Sequence, residues 1–259
     1  MTETGPALPG PVLFARYAYP PNELGYCGPD DPQALLEMVA GQEPVSDLAH
    51  LAARFEGAWP YLQLIASCNG IDSPLDPRVV HAYWVGNELL TRVPAPALAR
   101  SLADRFEERA GRRFTPLVRS AWKGVPQHNL HVFAVYPWLG LLRAGMEGPP
   151  LEVLDRCRIR VGRVRSVDGD MVEVAERPLA FRGSCLVPGP PRSARARCRL
   201  DGLGLVGGLR PGDLVALHWD WVCDRLSAEE AGWLTACDRR NLAAVNGTAW
   251  RGPATACGA

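Results

Sequence analysis

The chain has 259 residues with 28 basic and 28 acidic side chains, so its formal net charge at neutral pH is zero. Because phosphate neutralisation supplies most of the affinity for nucleic acids, this balance argues against a general nucleic-acid-binding protein. The sequence contains no apolar run long enough for a transmembrane helix, and residues 1–11 lack the pattern of a secretory signal. A cytoplasmic location without a membrane partner is therefore expected.

The first half of the chain has the spacing of a helical domain. Residues 1–13 are expected to be a loose leader, followed by a short aromatic segment that ends at Pro20-Pro21. Apolar spacing then predicts helices over 32–39, 46–69 with a break at Pro60, 77–90, 97–108, and 129–144 with a break at Pro137. These elements predict an all-helical domain over residues 1–148.

The periodicity changes after a linker at 147–150 that contains Gly-Pro-Pro. Arginines at 156, 158 and 160 alternate with apolar residues, which predicts a first strand with a solvated basic face. Asp168-Gly169 predicts a hairpin turn, and further strands are expected over 171–175, 195–200 and 214–219. Ser227 with Glu230 three residues later is a capping-box pattern for a helix that ends near Asn246.

The sequence thus predicts the α+β class, with the all-helical domain followed by a small β-barrel and a C-terminal helix over residues 151–247. Residues 248–259 are expected to form a flexible tail. Eight cysteines are present, and no two have the Cys-x-x-Cys spacing of zinc fingers or redox motifs. Most of these thiols are therefore expected to be small buried hydrophobic groups.

An ordered set of features in the second half resembles the HypC/HupF family of hydrogenase assembly chaperones. The set comprises the segment Cys157-Arg-Ile-Arg-Val-Gly, the turn at Asp168-Gly169, and Pro211-Gly-Asp leading to His218. The resemblance implies a small OB-like barrel in which Cys157 and His218 are the iron-handling pair. It also implies a transient iron fragment as cargo, and a hydrogenase large subunit or other maturation proteins as partners. Here the cysteine follows a helical half instead of an initiator methionine.

The pair is chemically plausible without the family, because a thiolate and an imidazole suit a soft, low-spin iron better than carboxylates do. The alternative for Cys157 is a core cysteine. The alternative for His218 is a hydrogen-bonded barrel histidine paired with Asp220.

The first half offers a second group of candidates. His128 and His131 are three residues apart and would share one face of a helix, where they could bind a metal with His81 or Cys27 as a third ligand. Cys27 could instead be a nucleophile with either histidine as its base. Structural roles are the alternatives for all four. Glu56 lies in an aromatic stretch and, if buried, must be paired or functional.

Several segments also resemble an uncharacterised actinobacterial family, to which the resemblance assigns no activity. These segments are 14–17, 26–29, 55–60, 128–131 and 218–221. The favoured function is a hydrogenase maturation accessory protein that holds or transfers an iron fragment and is not itself an enzyme. A metal- or cysteine-dependent enzyme with its site in the helical domain and a plain protein-interaction module are the alternatives.

Overall fold

The computed structural model describes residues 8–28, 30, 32–39, 48–110, 121–146, 148–200 and 202–247. Within these ranges the chain contains helices in the first half, strands in the second half and a C-terminal helix, which confirms the α+β class. The predicted flexible tail over 248–259 lies outside the described residues. Among the described helices, none is both long and apolar enough to cross a membrane.

The helical half follows the predicted breaks closely. Pro60 lies in the first turn of a helix, where a proline is favourable. Asp76 caps the next helix by accepting a hydrogen bond from the Arg78 amide at 2.9 Å. The elements are α1 Gly10–Glu23, α2 Pro32–Val39, α3 Leu48–Ala53, α4 Trp59–Cys68, α5 Pro77–Trp84, α6 Ala95–Ala110, α7 His128–Ala134, α8 Trp138–Arg143 and α9 Pro149–Cys157. Short 3-10 turns lie at Glu88–Arg92 and Ala121–Lys123.

Helix α1 corrects the prediction of a leader that reaches residue 13 and a helix-breaking Pro20-Pro21. The helix begins at Gly10 and continues through both prolines to Glu23. Proline has no amide hydrogen, so Pro20 and Pro21 cannot donate to the carbonyls four residues earlier, those of Arg16 and Tyr17. The helix is stabilised by burial: most of its residues contact the core, and its C-terminal part packs against the sheet of the second half.

The position of Cys157 corrects a second prediction. Residues 148–150 are not a linker, because Gly148 precedes a helix that starts at Pro149, with proline favourably placed in the first turn. Cys157 is the last residue of this helix, and the first strand begins only at Arg160. The alternation over 156–161 therefore spans a helix end and a strand start, and two-residue spacing alone did not distinguish them.

Five strands form a sheet that closes on itself. They are β1 Arg160–Asp168, β2 Met171–Glu176, β5 Arg192–Arg197, β8 Leu214–His218 and β9 Trp221–Leu226, paired in the order β1-β2-β5-β9-β8. Strand β8 pairs back onto β1, with Arg160 opposite Leu217. Two small hairpins complete this half: β3 Leu179–Arg182 with β4 Cys185–Pro188, and β6 Arg199–Leu200 with β7 Leu203–Gly204.

The predicted turn at Asp168-Gly169 is confirmed, because Asp168 pairs with Met171 across a tight hairpin in which Gly169 has a φ of 58°. Glycine adopts this left-handed conformation without the steric cost that other residues incur. The predicted capping box at Ser227 is also confirmed. It starts α10, Ala228–Asn246, which packs on α7 and on the sheet.

The sequence suggested that the arginines at the start of β1 are solvated, but two of them are not. Arg158 and Arg160 are buried. Arg158 lies 3.2 Å from Asp155 and 3.2 Å from Asp238, and Arg160 forms a short ion pair with Glu176. Each buried cation is therefore neutralised, as burial of charge requires. One continuous hydrophobic core extends from α1 through the helices into the sheet, so the helical half and the sheet share one interior.

Candidate metal site

Three side chains from distant parts of the sequence meet in this interior. His128 begins α7, Cys157 ends α9 and His218 ends β8. One ligand atom of each lies within 4.8 Å of the others, and all three residues are buried. The rings of His128 and His218 are 5.0 Å apart. The structure thus brings together the predicted pair, Cys157 and His218, and adds His128 from the second group of candidates.

His128 is held by hydrogen bonds at both ring nitrogens. Its Nε2 lies 2.9 Å from the Cys157 carbonyl, and its Nδ1 lies 3.2 Å from the Tyr83 hydroxyl. A carbonyl only accepts, so Nε2 carries the hydrogen and Nδ1 accepts from Tyr83. The ring is therefore a neutral imidazole in a fixed orientation, supported by Trp84, whose ring lies 4.8 Å away.

His218 is oriented by α1. Its Nδ1–H donates to the Tyr17 carbonyl at 2.7 Å. That carbonyl would normally accept from the residue four positions later, but this residue is Pro21 and has no amide hydrogen. The missing helical bond thus leaves an acceptor for His218. The other nitrogen, Nε2, is buried and makes no hydrogen bond of normal geometry with the described residues, although the Cys157 carbonyl lies close enough to act against the lowering of the pKa of the ring. Such an atom costs free energy unless a ligand satisfies it.

Cys157 is fixed by the connection between α9 and β1. The buried Asn129 side chain accepts from the Ile159 amide at 2.7 Å and donates to the Ile159 carbonyl at 2.9 Å, two residues beyond the cysteine. On the other side of the site, Trp219 follows His218 with a φ of 51°, rare for a bulky residue. Its amide donates to the Arg156 carbonyl at 2.6 Å, which ties the end of β8 to the end of α9.

The electrostatics of the site favour neutral side chains. Burial lowers the pKa of His128 to about 4 from an ordinary value of 6.5. Burial, with a smaller effect of charge on His128, also holds the pKa of His218 well below its ordinary value. Burial raises the pKa of the Cys157 thiol, charge on Cys27 adds to this, and the Trp219 indole opposes it. The imidazoles are therefore ready to ligate, whereas the thiol needs a cation to ionise.

A cavity of about 160 Å³ adjoins two of the three side chains, those of His128 and Cys157, and His218 is not among its lining residues. His128 and Cys157 line it, and so do Cys27 and His131, the remaining candidates from the first half. Most other lining residues are apolar or aromatic, among them Phe55, Tyr83, Trp84, Tyr136 and Trp138. Residues that the sequence assigned to two separate hypotheses therefore share one cavity.

Cys27 does not have the electrostatics of an activated nucleophile. Burial raises the pKa of its thiol to about 12, so almost none of it is ionised at neutral pH. Burial lowers the pKa of His131 to about 3, and its Nδ1 lies 3.4 Å from the Tyr61 hydroxyl. The indicated state of both residues is neutral, which disfavours a thiolate–imidazolium pair.

Three other predicted residues lie away from this cluster. His81 Nε2 lies 3.1 Å from Glu230, and this contact is the largest cause that lowers the pKa of that carboxyl to about 2. Glu56 is exposed, so the requirement that holds for a buried carboxylate does not apply to it. Asp220 is also exposed and forms an ion pair with Arg156, which corrects the suggestion that it pairs with His218.

A larger cavity of about 440 Å³ lies beside β1 and α10, away from the three ligands. Four arginines line it, but Arg158 and Arg160 are already neutralised by Asp155, Asp238 and Glu176. The other two, Arg163 and Arg177, donate to the backbone carbonyls of Gly212 and Gly189.

Sequence reasoning missed the residues that orient the ligands, namely Tyr17, Tyr83 and Trp84, and treated aromatic residues such as these as core. One signal was available: a Pro-Pro pair inside an amphipathic helix leaves carbonyls in need of another donor.

The model of a family of unknown function matches residues 6–251, in agreement with the expected membership of an uncharacterised family. Comparisons with curated proteins and with solved structures found no match, and none of the comparisons supports the HypC/HupF resemblance.

Proposed function

Given that this chain belongs to DUF6390, a family of unknown function, we propose that it is a metal-binding protein in which His128, Cys157 and His218 hold one metal ion. The observation that carries the proposal is the unpartnered His218 Nε2, fully buried beside a second imidazole and a thiol. Buried polar atoms normally have a partner, and an imidazole nitrogen with a free lone pair is the commonest protein ligand for metals.

The donor set selects the class of metal. One thiolate with two imidazoles suits zinc, iron or copper and does not suit magnesium or calcium, which prefer oxygen. With metal–ligand bonds of 2.0–2.3 Å, tetrahedral ligand atoms lie about 3.5 Å apart. The described separations of up to 4.8 Å therefore require the ligands to close by about 1 Å.

Metal binding would use the groups that now hold His128. A metal on Nε2 replaces the hydrogen bond to the Cys157 carbonyl, and the ring proton then resides on Nδ1 and is donated to the Tyr83 hydroxyl. His218 already has the required arrangement, because Nδ1–H donates to the Tyr17 carbonyl and leaves Nε2 free. Partners of this kind fix the tautomer of a ligating histidine and raise its basicity.

The biological role we propose is that of a hydrogenase maturation accessory protein that holds an iron fragment transiently. The proximity of Cys157 and His218 supports this role, since ligands on opposite sides of the sheet would have removed its physical basis. The partners would be a hydrogenase large subunit or other maturation proteins. Because the site is buried between the helices and the sheet, delivery to a partner requires this junction to open.

The test is anaerobic purification of the tagged protein from its native host, followed by metal analysis and infrared spectroscopy of the cyanide and carbonyl stretching region. Wild type is expected to carry iron and to show these bands, and Cys157→Ala and His218→Ala are expected to lose both. His81→Ala is the matched control, because this histidine lies outside the cluster and should leave the iron content unchanged. Iron-free wild type without hydrogenase proteins in the co-purified material would refute the maturation role.

A cysteine-dependent enzyme is the second candidate, because Cys27, His128 and His131 line the same cavity. It predicts a thiol that reacts rapidly with iodoacetamide at neutral pH, whereas the raised pKa of Cys27 predicts slow alkylation. Mass spectrometry of the labelled cysteines distinguishes the two. A plain interaction module is disfavoured, since it predicts no convergent polar groups.

A further inference from the structure

A fourth donor faces the same cavity from a different part of the chain. Cys27 lies in the exposed turn over residues 24–28 that follows α1, whereas Cys157 ends α9. Both residues and His128 line the cavity of about 160 Å³. Thiols and imidazoles from three separate elements thus line one small volume, and two of these residues, His128 and Cys157, also belong to the cluster with His218. The inference drawn from this arrangement rests on the proposed function only in taking the site to be a metal site.

The turn that carries Cys27 is built in a fixed conformation. Gly25 and Gly28 have φ values of 72° and 89°, which only glycine adopts readily. The Asn22 side chain donates to the Cys27 carbonyl at 2.8 Å, and Tyr26 stacks on Trp219 with ring centres 4.4 Å apart. Cys27 is therefore held over the cavity by contacts on both sides.

Gly28 adds a steric reason for this arrangement. A Cβ at this position would lie 2.4 Å from the Phe55 ring, so the turn approaches the cavity wall as closely as the backbone allows. Phe55 itself lines the cavity. The backbone at Gly28 therefore packs closely against the Phe55 ring, and the preceding residue, Cys27, lines the same cavity as this ring.

The chemistry of the cavity leaves few competitors for a fourth coordination position. Three protein ligands leave one position on a tetrahedral metal. The remaining lining is mainly apolar or aromatic, and a water there would have few hydrogen-bond partners. His131 also lines the cavity, but its Nε2 lies against Gly57, 3.0 Å from the place where a Cβ on that residue would be, and its Nδ1 lies 3.4 Å from the Tyr61 hydroxyl.

We infer that Cys27 is the fourth ligand of this site, which makes it a His₂Cys₂ centre formed by Cys27, His128, Cys157 and His218. The independent sign of a ligand is the buried His218 Nε2, which makes no hydrogen bond of normal geometry within the described part of the chain and lies in the cluster with His128 and Cys157, the two residues that this cluster shares with the cavity. Of the four residues, Cys27 alone lies in an exposed turn, so its release opens a coordination position for exchange of the metal. Both cysteines lose their protons on binding, and these two protons are released to solvent.

The test uses Co²⁺ as the probe, added anaerobically to the reduced full-length chain, with the thiolate-to-cobalt charge-transfer band in the near ultraviolet as the readout. This band grows with the number of bound thiolates. Wild type is expected to show a two-thiolate band, and Cys27→Ser and Cys157→Ser are each expected to keep about half of its intensity. Cys68→Ser is the matched control, because this half-buried cysteine lies at the end of α4 outside the cavity and should retain the full band.

X-ray absorption of the Zn²⁺-loaded wild type provides a measurement that needs no variant. Two sulfur and two nitrogen neighbours are expected, with Zn–S distances near 2.3 Å. A single sulfur neighbour, together with an unchanged cobalt band in Cys27→Ser, would overturn the inference and leave the three-ligand site standing. If the wild type binds neither Co²⁺ nor Zn²⁺, the proposed metal-binding function is refuted together with the inference.

Discussion

Acidification from pH 7.5 to pH 5 should destabilise the metal-free protein through its buried histidines. Burial lowers the pKa of His128 from 6.5 to about 4, and that of His131 from 6.5 to about 3. A group with a lowered folded pKa binds its proton preferentially in the unfolded chain. Its contribution is therefore complete above pH 6.5 and is lost progressively as the pH falls from 6.5 toward the folded value.

The magnitude follows from the pH interval. Each pH unit below the unfolded pKa lowers the free energy of unfolding by about 1.4 kcal/mol. Lowering the pH from 6.5 to 5 therefore lowers it by about 2 kcal/mol for each fully buried histidine. Two such residues remove about 4 kcal/mol, a large part of the 5–15 kcal/mol by which domains are ordinarily stable. The urea concentration at the midpoint of unfolding is therefore expected to be well below its pH 7.5 value when the pH is 5.

The assay is urea denaturation followed by circular dichroism at pH 7.5 and at pH 5, for wild type and for His128→Gln. The difference between the two proteins measures His128 together with its effect on His131 and His218, whose pKa values it helps to lower. The variant should start less stable at pH 7.5 but lose about 2 kcal/mol less on acidification. Equal losses within about 0.5 kcal/mol would mean that burial does not hold this imidazole neutral.

Three further outcomes are expected. Arg160→Met leaves the buried carboxylate of Glu176 without its main partner, so the free energy of unfolding measured by urea titration should fall by about 3–5 kcal/mol. A loss below about 1 kcal/mol would contradict the buried ion pair. Ser227→Ala removes the helix cap, with an expected cost of about 1 kcal/mol in the same assay. Pro21→Ala restores an amide that competes for the carbonyl orienting the histidine on β8, so Zn²⁺ affinity measured by competition with a chelator should fall about 10–100-fold, whereas Pro20→Ala should leave it unchanged.

Much of the fold was predictable because its local signals are strong. The glycine turn after Asp168 and the capping box at Ser227 each depend on residues within four positions of one another, and the structure has both. The proximity of Cys157 to His218 was predicted only through a family resemblance. No local pattern relates positions 157 and 218, so the residues alone could not have supplied it.

The errors arose where distant packing overrides local preference. Pro20-Pro21 normally ends a helix, but here the sheet supplies the donor that one freed carbonyl needs. The alternation around Cys157 was interpreted as a strand, because apolar residues two apart also occur where a helix passes directly into a strand. The contribution of His128 was missed as part of this cluster, since it depends on how the two halves of the chain pack together.

The hydrogen bond between His218 and the Tyr17 carbonyl joins residues 201 positions apart in the chain. During synthesis, the ribosome must add almost the whole sequence before these two groups can meet, and contacts of such long range form late and slowly. The chain that emerges before β8 therefore exposes two thiols and one imidazole, those of Cys27, Cys157 and His128, before the last ligand exists. Capture of metal should accordingly follow synthesis of β8, and termination anywhere before β8 should yield a product that cannot retain the metal.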